Sequence, residues 1–304
     1  MIIDLQPSPA AAREEEPPTS PGLWPGARAA SWAGAVPFLL FIGLLLVIPA
    51  ISVVVGAFET DSGGFTLANL RIATEGPYLS SFIASFELSI ASTVLAVILG
   101  MLAALAIAGT GGRSRALLQS ASSVLANTGG VPLAFAFIAT LGNFGVVTEV
   151  LSSLGFDPYR HGFSLYSVLG LTIVYQYFLV PLMVLIMIGP IRTFKRSWVE
   201  AATSLGASRL RFWASVGLPI LAPAILSGAV VIFTDAFAAY ATAEALTSGT
   251  IPLVPIQIGS LVSGNVAAGQ GNLGNALGLG MIIVIAAAAT IYLASSRRSA
   301  RWLR

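Results

Sequence analysis

Long apolar runs alternate with short polar ones along this chain. Six runs, at residues 33–57, 85–108, 120–141, 164–189, 222–246 and 274–295, carry few or no charges. Each is long enough to cross the roughly 30 Å hydrocarbon core of a bilayer as an α-helix, which needs about 20 residues. The pattern predicts an all-α integral membrane protein with six transmembrane helices. Gly129, Gly130 and Pro132 interrupt the third run and Pro181 the fourth. Such breakers persist at membrane depth only where neighbouring helices, side chains or water take up the freed backbone groups. Those two spans are therefore expected to face protein or a cavity.

Two stretches stand outside the apolar runs. Residues 1–31 hold Glu14, Glu15 and Glu16, six prolines and few apolar side chains, a composition that buries too little surface to fold; they are read as a disordered cytoplasmic tail. Residues 32–304 are read as one transmembrane domain. Within it, Ser197–Pro219 is basic and helix-forming, set between the fourth and fifth spans. Ser197 and Glu200 have the spacing of a capping box, Gly206 suits the left-handed position that ends a helix, and Ser208 can cap a second helix carrying Arg209 and Arg211. Leu218-Pro219 then leads into the fifth span, with proline in a first turn where it is tolerated.

Composition agrees with the class, with 56% hydrophobic and 9% charged residues against roughly 25% charged in soluble domains. The absence of cysteine excludes disulfides, thiolate metal sites and cysteine nucleophiles. Net charge is only +2, so its distribution matters more than its size. With the N-terminus inside, Arg13, Arg28, Arg113, Arg115, Arg192, Lys195, Arg196, Arg209, Arg211, Arg297, Arg298, Arg301 and Arg304 fall on the cytoplasmic side, leaving Arg71 and Arg160 outside. That asymmetry fits the positive-inside rule. It places both termini and the 197–219 loop in the cytoplasm. An odd number of spans would destroy it.

The loop also resembles a known family. Glu200-Ala201-Ala202, three residues, Gly206, nine residues, then Val216-Gly217-Leu218-Pro219 is similar to the EAA motif of permease subunits in binding-protein-dependent ABC importers, with Val216 the one departure from its isoleucine. The six-span layout and the segments AYATAEALTSGTIPLVPIQIG and NLGNALGLGMIIV resemble the spermidine/putrescine branch. The resemblance covers most of the chain after residue 33. It implies the type I importer permease fold, with Glu200, Ala201, Ala202, Gly206, Leu218 and Pro219 at the coupling positions. It implies as partners a cytoplasmic ABC ATPase dimer, a second permease subunit (a heterodimer in the polyamine systems) and an extracytoplasmic solute-binding protein, with membrane lipid around the spans and no nucleic acid. The cargo it implies is a polyamine; iron, phosphonates, other anions and sugars are carried by related permeases.

The energy source must lie in another chain. A phosphate-cradling loop ends in GK[ST], and the single lysine, Lys195, follows Phe194. The chain is thus expected to be no enzyme and to hold no cofactor, with ATP and magnesium bound by the ATPase.

Polar residues within the spans are candidates for the translocation path, since ionisable groups are costly in a bilayer. Asp235 falls near the middle of the fifth run, Tyr175 and Gln176 at a matching depth in the fourth, and Asn127 near mid-depth in the third. Acidic and aromatic groups together suit a cation. Holding a neighbouring helix by a hydrogen bond would suit Asp235 equally well. Glu244, nine residues on, points away from Asp235 if that helix is regular. Glu87 reads as interfacial, near the outer end of the second span, and His161 as a solvated loop residue. Two other functions remain open: a self-contained secondary transporter or channel working through Asp235, and an intramembrane hydrolase pairing Ser263 with His161. The first gives no reason for the EAA spacing, and the second has no supporting constellation.

Overall fold

The computed structural model describes residues 35–60, 62–194, 196–263 and 271–300. The tail expected over 1–31 and the lysine at 195 lie outside the described residues. Among the described residues every regular element is a helix, and the one β contact is an isolated bridge between Glu59 and Phe65. The chain divides into two units, residues 1–52 and 53–304. Helix α1 (Ala35–Ala57) starts in the first and contains a π turn at Gly43–Val47.

The second unit runs through α2 (Ala68–Ala73), α3 (Gly76–Gly109), α4 (Gly112–Ala126), α5 (Val131–Leu141), α6 (Val146–Ser153) and α7 (Val168–Arg192). It continues with α8 (Arg196–Ser204), α9 (Arg209–Phe212), α10 (Leu218–Ala238), α11 (Ala241–Thr247), α12 (Val254–Val262) and α13 (Gly271–Ala300). Among the described residues, six helical stretches are long and apolar enough to cross a membrane: Ala35–Ala57, Gly76–Gly109, Val131–Ser153, Val168–Arg192, Leu210–Ala238 and Gly271–Ala294.

The number of spans agrees with the hydropathy pattern, but two of them shift. The third was expected over 120–141. Instead the helix stops at Ala126, and Gly130 takes a positive φ of 81° before α5 begins with Pro132 in its first turn. The serine- and arginine-bearing α4 thus separates from the apolar stretch 131–153. The fifth, expected over 222–246, ends at Ala238, where Ala239 turns extended. Pro181, by contrast, leaves α7 unbroken and is itself buried.

Helix α7 is the axis of the core. Val174, Tyr175, Leu179, Met183 and Met187 are fully buried along it. Close approach depends on glycine: a Cβ on Gly100 of α3 would stand 2.5 Å from the Met183 Cβ, and one on Gly228 of α10 would stand 2.8 Å from its sulfur. Small residues at helix contacts serve this purpose in membranes, where no hydrophobic force separates lipid from protein. The pairings Ser92–Gln176 and Gly100–Met183 advance together, so α3 and α7 run parallel. The pairings Ala239–Tyr175 and Gly228–Met183 advance in opposite senses, so α10 runs antiparallel to α7. A row of buried serines on α3 (Ser81, Ser85, Ser89, Ser92) permits similar closeness, and the Ser85 hydroxyl accepts the Val254 N–H at 2.9 Å where α12 starts.

Candidate functional site

Two features carry the sequence-predicted residues. The first is the loop between α7 and α10. Helix α8 is described from Arg196, so Ser197 lies within it and not at the capping position expected for it. Its far end matches the expectation in detail. Gly206 has φ +76°, its N–H bonds to the Thr203 carbonyl at 2.9 Å, and the Ala207 N–H reaches back to Ala202 at 3.0 Å. This is a Schellman stop, with glycine where a side chain would strain the backbone. The Ser208 hydroxyl then accepts the Arg211 N–H at 3.3 Å and caps α9.

From α9 the chain passes through a π turn, Trp213–Gly217, straight into α10. Glu200 and Ala201 are exposed, Ala202 is half-buried, and Leu218 and Pro219 are exposed at the start of α10. Leu205 and Leu210, flanking the Gly206 turn, are 88% and 82% exposed. Such leucines beside a surface turn present an apolar face to the surroundings.

The second feature is a polar cleft of about 350 Å³ lined by Ala126, Asn127, Gly129, Gly130, Phe178, Asp235, Ala239, Tyr240, Ala241 and Thr242. It exists because the helical backbone breaks around it: α4 ends at Ala126, α10 ends at Ala238, and α11 starts at Ala241. The interrupted backbone is tied across the gap, the Gly130 N–H donating to the Thr242 hydroxyl at 2.8 Å. Asn127 and Asp235 share this cleft, as expected, and both are exposed to it. The Asn127 amide also donates to the Ser123 carbonyl at 2.8 Å.

Tyr175 and Gln176 do not join them. Tyr175 is fully buried behind the cleft and donates its hydroxyl to the Ala239 carbonyl at 3.3 Å, holding the end of α10. Gln176 turns to α3 and donates to the Ser92 carbonyl at 3.3 Å and to the Thr172 carbonyl at 2.8 Å. Adjacent residues on a helix diverge by 100°, so both could not have faced one site. Glu244 lies on α11 and Asp235 on α10, which removes the regular-helix argument that set them on opposite faces. Sequence reasoning missed Tyr240, which is 44% exposed and lines the cleft. Its ring lies so close to Gly259 that a Cβ there would meet it at 2.9 Å.

Depth follows from helix rise. Asp235 lies 17 residues beyond Leu218 and Tyr175 lies 17 before Arg192, each about 25 Å from the loop end at 1.5 Å per residue. The cleft thus lies toward the end of these helices remote from the loop, beyond the middle where the apolar runs set Asp235. Glu87 lies 22 residues before the loop end of α3, about 33 Å away, at the edge of a core about 30 Å thick. In the segment between α6 and α7, Tyr159 donates its hydroxyl to the Leu141 carbonyl at 2.8 Å, and partial burial holds its phenol above the ordinary value.

His161 and Ser263 engage separate partners. The imidazole stacks on Phe156 at 4.9 Å with Nδ1 2.7 Å from the Asp157 carbonyl, while the Ser263 hydroxyl donates to the Gly259 carbonyl at 2.7 Å. Among the described residues no hydrogen bond joins the two, so the serine–histidine pair that the hydrolase reading needs is not formed. Among the described residues no group of histidine and acidic side chains could hold a metal ion.

Comparison with known proteins covers both features. Residues 96–304 match the family model described as "Binding-protein-dependent transport system inner membrane component". The molybdenum transport system permease protein ModB of Mycobacterium bovis, and that of Mycobacterium tuberculosis, are each 27% identical over 186 residues, 59% of this chain and 67% of theirs. Two solved structures share the fold. One is a bacterial ABC transporter involved in the import of the acidic polysaccharide alginate, with TM-score 0.68 and 18% identity over 91% of this chain and 96% of that one. The other is a bacterial alginate ABC transporter in complex with an alginate pentasaccharide-bound periplasmic protein, with TM-score 0.70 and 17% identity over 90% and 96%.

Proposed function

The chain belongs to the family of inner membrane components of binding-protein-dependent transport systems, and from that premise we propose that it is a permease subunit of an ATP-driven importer. It forms part of the path for a small solute that a binding protein delivers from outside. Its 197–219 loop seats in a separate cytoplasmic ATPase, which binds ATP and magnesium and performs the hydrolysis. A second permease, different from this one, completes the path, and both termini are cytoplasmic.

The observation that carries this reading is the state of α8. Nine residues are too few for a helix to hold itself in water, where about 12–15 are marginal, yet almost every described side chain of α8 points to solvent. The Gly206 turn beside it presents Leu205 and Leu210 outward. A short helix kept at a surface with the small Ala201 open to close approach is a docking element. The test is reconstitution of the chain with its ATPase and binding protein in proteoliposomes. Uptake should require ATP and vanish when the ATPase is omitted. Uptake by the purified chain alone would establish the secondary-transporter reading.

Two cargo classes have support. Asp235 is the charged residue of the cleft lining, beside Tyr240 and Phe178, which suits a cation through charge pairing and ring faces and favours the polyamine class. The molybdenum permeases, at 27% identity, favour an oxyanion instead. Identifying the ligand retained by the cognate binding protein separates them: a polyamine supports the first, molybdate or an acidic saccharide the second.

A further inference from the structure

The two halves of the docking loop meet at one side chain. Phe194 follows the last turn of α7, and its ring lies 5.5 Å from Trp198 of α8, 6.4 Å from Phe212 of α9 and 5.9 Å from Trp213 at the start of the π turn. Phe212 and Trp213 are themselves edge to face at 5.8 Å. Phe194 and Trp213 both pack onto the main core below the loop. Most described side chains of α8 otherwise face solvent, and through Trp198 this cluster ties the helix to the spans.

Gly217 completes the arrangement. A Cβ there would lie 2.3 Å from Trp213 Cε3 and 2.8 Å from Cζ3, so only glycine admits the indole against the backbone. The Leu218 N–H bonds five residues back to the Trp213 carbonyl. Such a π turn is wider than the regular helix on either side of it, and it brings residue 217 under residue 213. The glycine in Val216-Gly217-Leu218-Pro219 thereby seats the ring that joins α9 to α10.

We propose that Phe194, seated on the Trp213 ring that Gly217 admits against the backbone, is the pin through which a displacement of α8 reaches α7 and α10 together. Phe194 is a positioning residue: it does not form the docking face, but makes the loop and the two spans move as one body. The proposal rests on the importer reading. Packed aromatic clusters have discrete arrangements and transmit a shift as a whole, where a floppy tether would absorb it. Without the pin, the ATPase could still grip α8, but its motion would be lost between α8 and α7.

The test uses the full transporter in proteoliposomes, measuring ATPase retention, ATP hydrolysis and solute uptake on the same preparations. Phe194→Ala should retain the ATPase and continue to hydrolyse ATP, while uptake per ATP falls about tenfold, within the range of ordinary coupling between sites. Phe194→Trp, which restores an aromatic face, should recover coupling. Gly217→Ala leaves Phe194 in place and expels the Trp213 ring, so the same uncoupling is expected. Unchanged uptake per ATP in both alanine variants overturns the pin. Loss of the ATPase from the Phe194→Ala complex also overturns it, because the ring would then belong to the docking surface. A wild-type chain that retains no ATPase overturns the importer reading, and the pin with it.

Discussion

Gly206 shows how much can depend on one residue. Its φ of +76° belongs to the left-handed region, and no heavy atom outside its chain neighbours lies within 4 Å of the position a Cβ would take. Backbone conformation and surface shape can therefore be tested apart. Left-handed geometry costs an ordinary L-residue about 1–2 kcal/mol, and Asn and Asp are among the side chains that tolerate it best. Gly206→Asp should insert into the membrane normally yet lose both ATPase co-purification and uptake, because a charge then projects from the docking face. Gly206→Asn should keep a measurable share of both. Equal loss in the two variants would make the residue's role conformational only. Asp235 offers the parallel test in the cleft. A carboxylate within reach of solvent contributes about 1 kcal/mol to holding a cation, so Asp235→Asn should lower uptake of a cationic solute roughly fivefold with assembly intact, as judged by gel filtration of the complex. Unchanged kinetics would remove Asp235 from the path.

At the scale of elements, the apolar runs located six spans because length and hydropathy suffice for that. They misplaced the third and fifth because a run of apolar residues carries no record of where backbone hydrogen bonds stop. The glycines at 129 and 130 were visible as breakers; that the Thr242 hydroxyl would take up the Gly130 N–H could not be read without knowing which helices meet. For the same reason Asn127 and Asp235 could be paired by depth, while Gln176 and Tyr175, at matching depth, turn to other partners than the cleft: direction around a helix needs its neighbours. Tyr240 had no signal, since it sat inside a run expected to be helical throughout. The contact of α3 with α7 gives a prediction of its own. Gly100→Ala would set two Cβ atoms 2.5 Å apart with the Val180 carbonyl also close, and neither can yield without moving a helix. A loss of about 1–3 kcal/mol is expected for such overpacking, read as a lowered melting temperature in detergent. Gly189→Ala on α7 meets nothing within 4 Å and should be neutral or slightly stabilising. Equal melting temperatures for the two variants would contradict the close crossing.

For the molecule as a whole, orientation decides what each feature meets. Loop residues 196–219 lie at one end of α7 and α10, and the Asp235 cleft about 25 Å away along the helices. If the basic side is cytoplasmic, the cleft is close to the outer surface, where cargo arrives, and the loop is where the ATPase pushes. The absence of cysteine makes this directly measurable, because one introduced thiol is the only target for a membrane-impermeant maleimide. Cysteine replacements at Arg71 and His161 should label in intact cells whose outer membrane has been made permeable. Replacements at Arg113 and Arg211 should label only after the inner membrane is opened. The reverse pattern would invert the molecule and put the loop out of reach of any cytoplasmic ATPase. A split between Arg113 and Arg211 would show that the segments joining them cross the bilayer an odd number of times. That second outcome bears on α4, whose arginines lie at the loop end while its last residue borders the cleft. Labelling at 113 together with 211 requires that α4, α5 and α6 make one crossing between them, leaving the break at Gly130 inside the membrane, where the bond to Thr242 keeps its backbone satisfied.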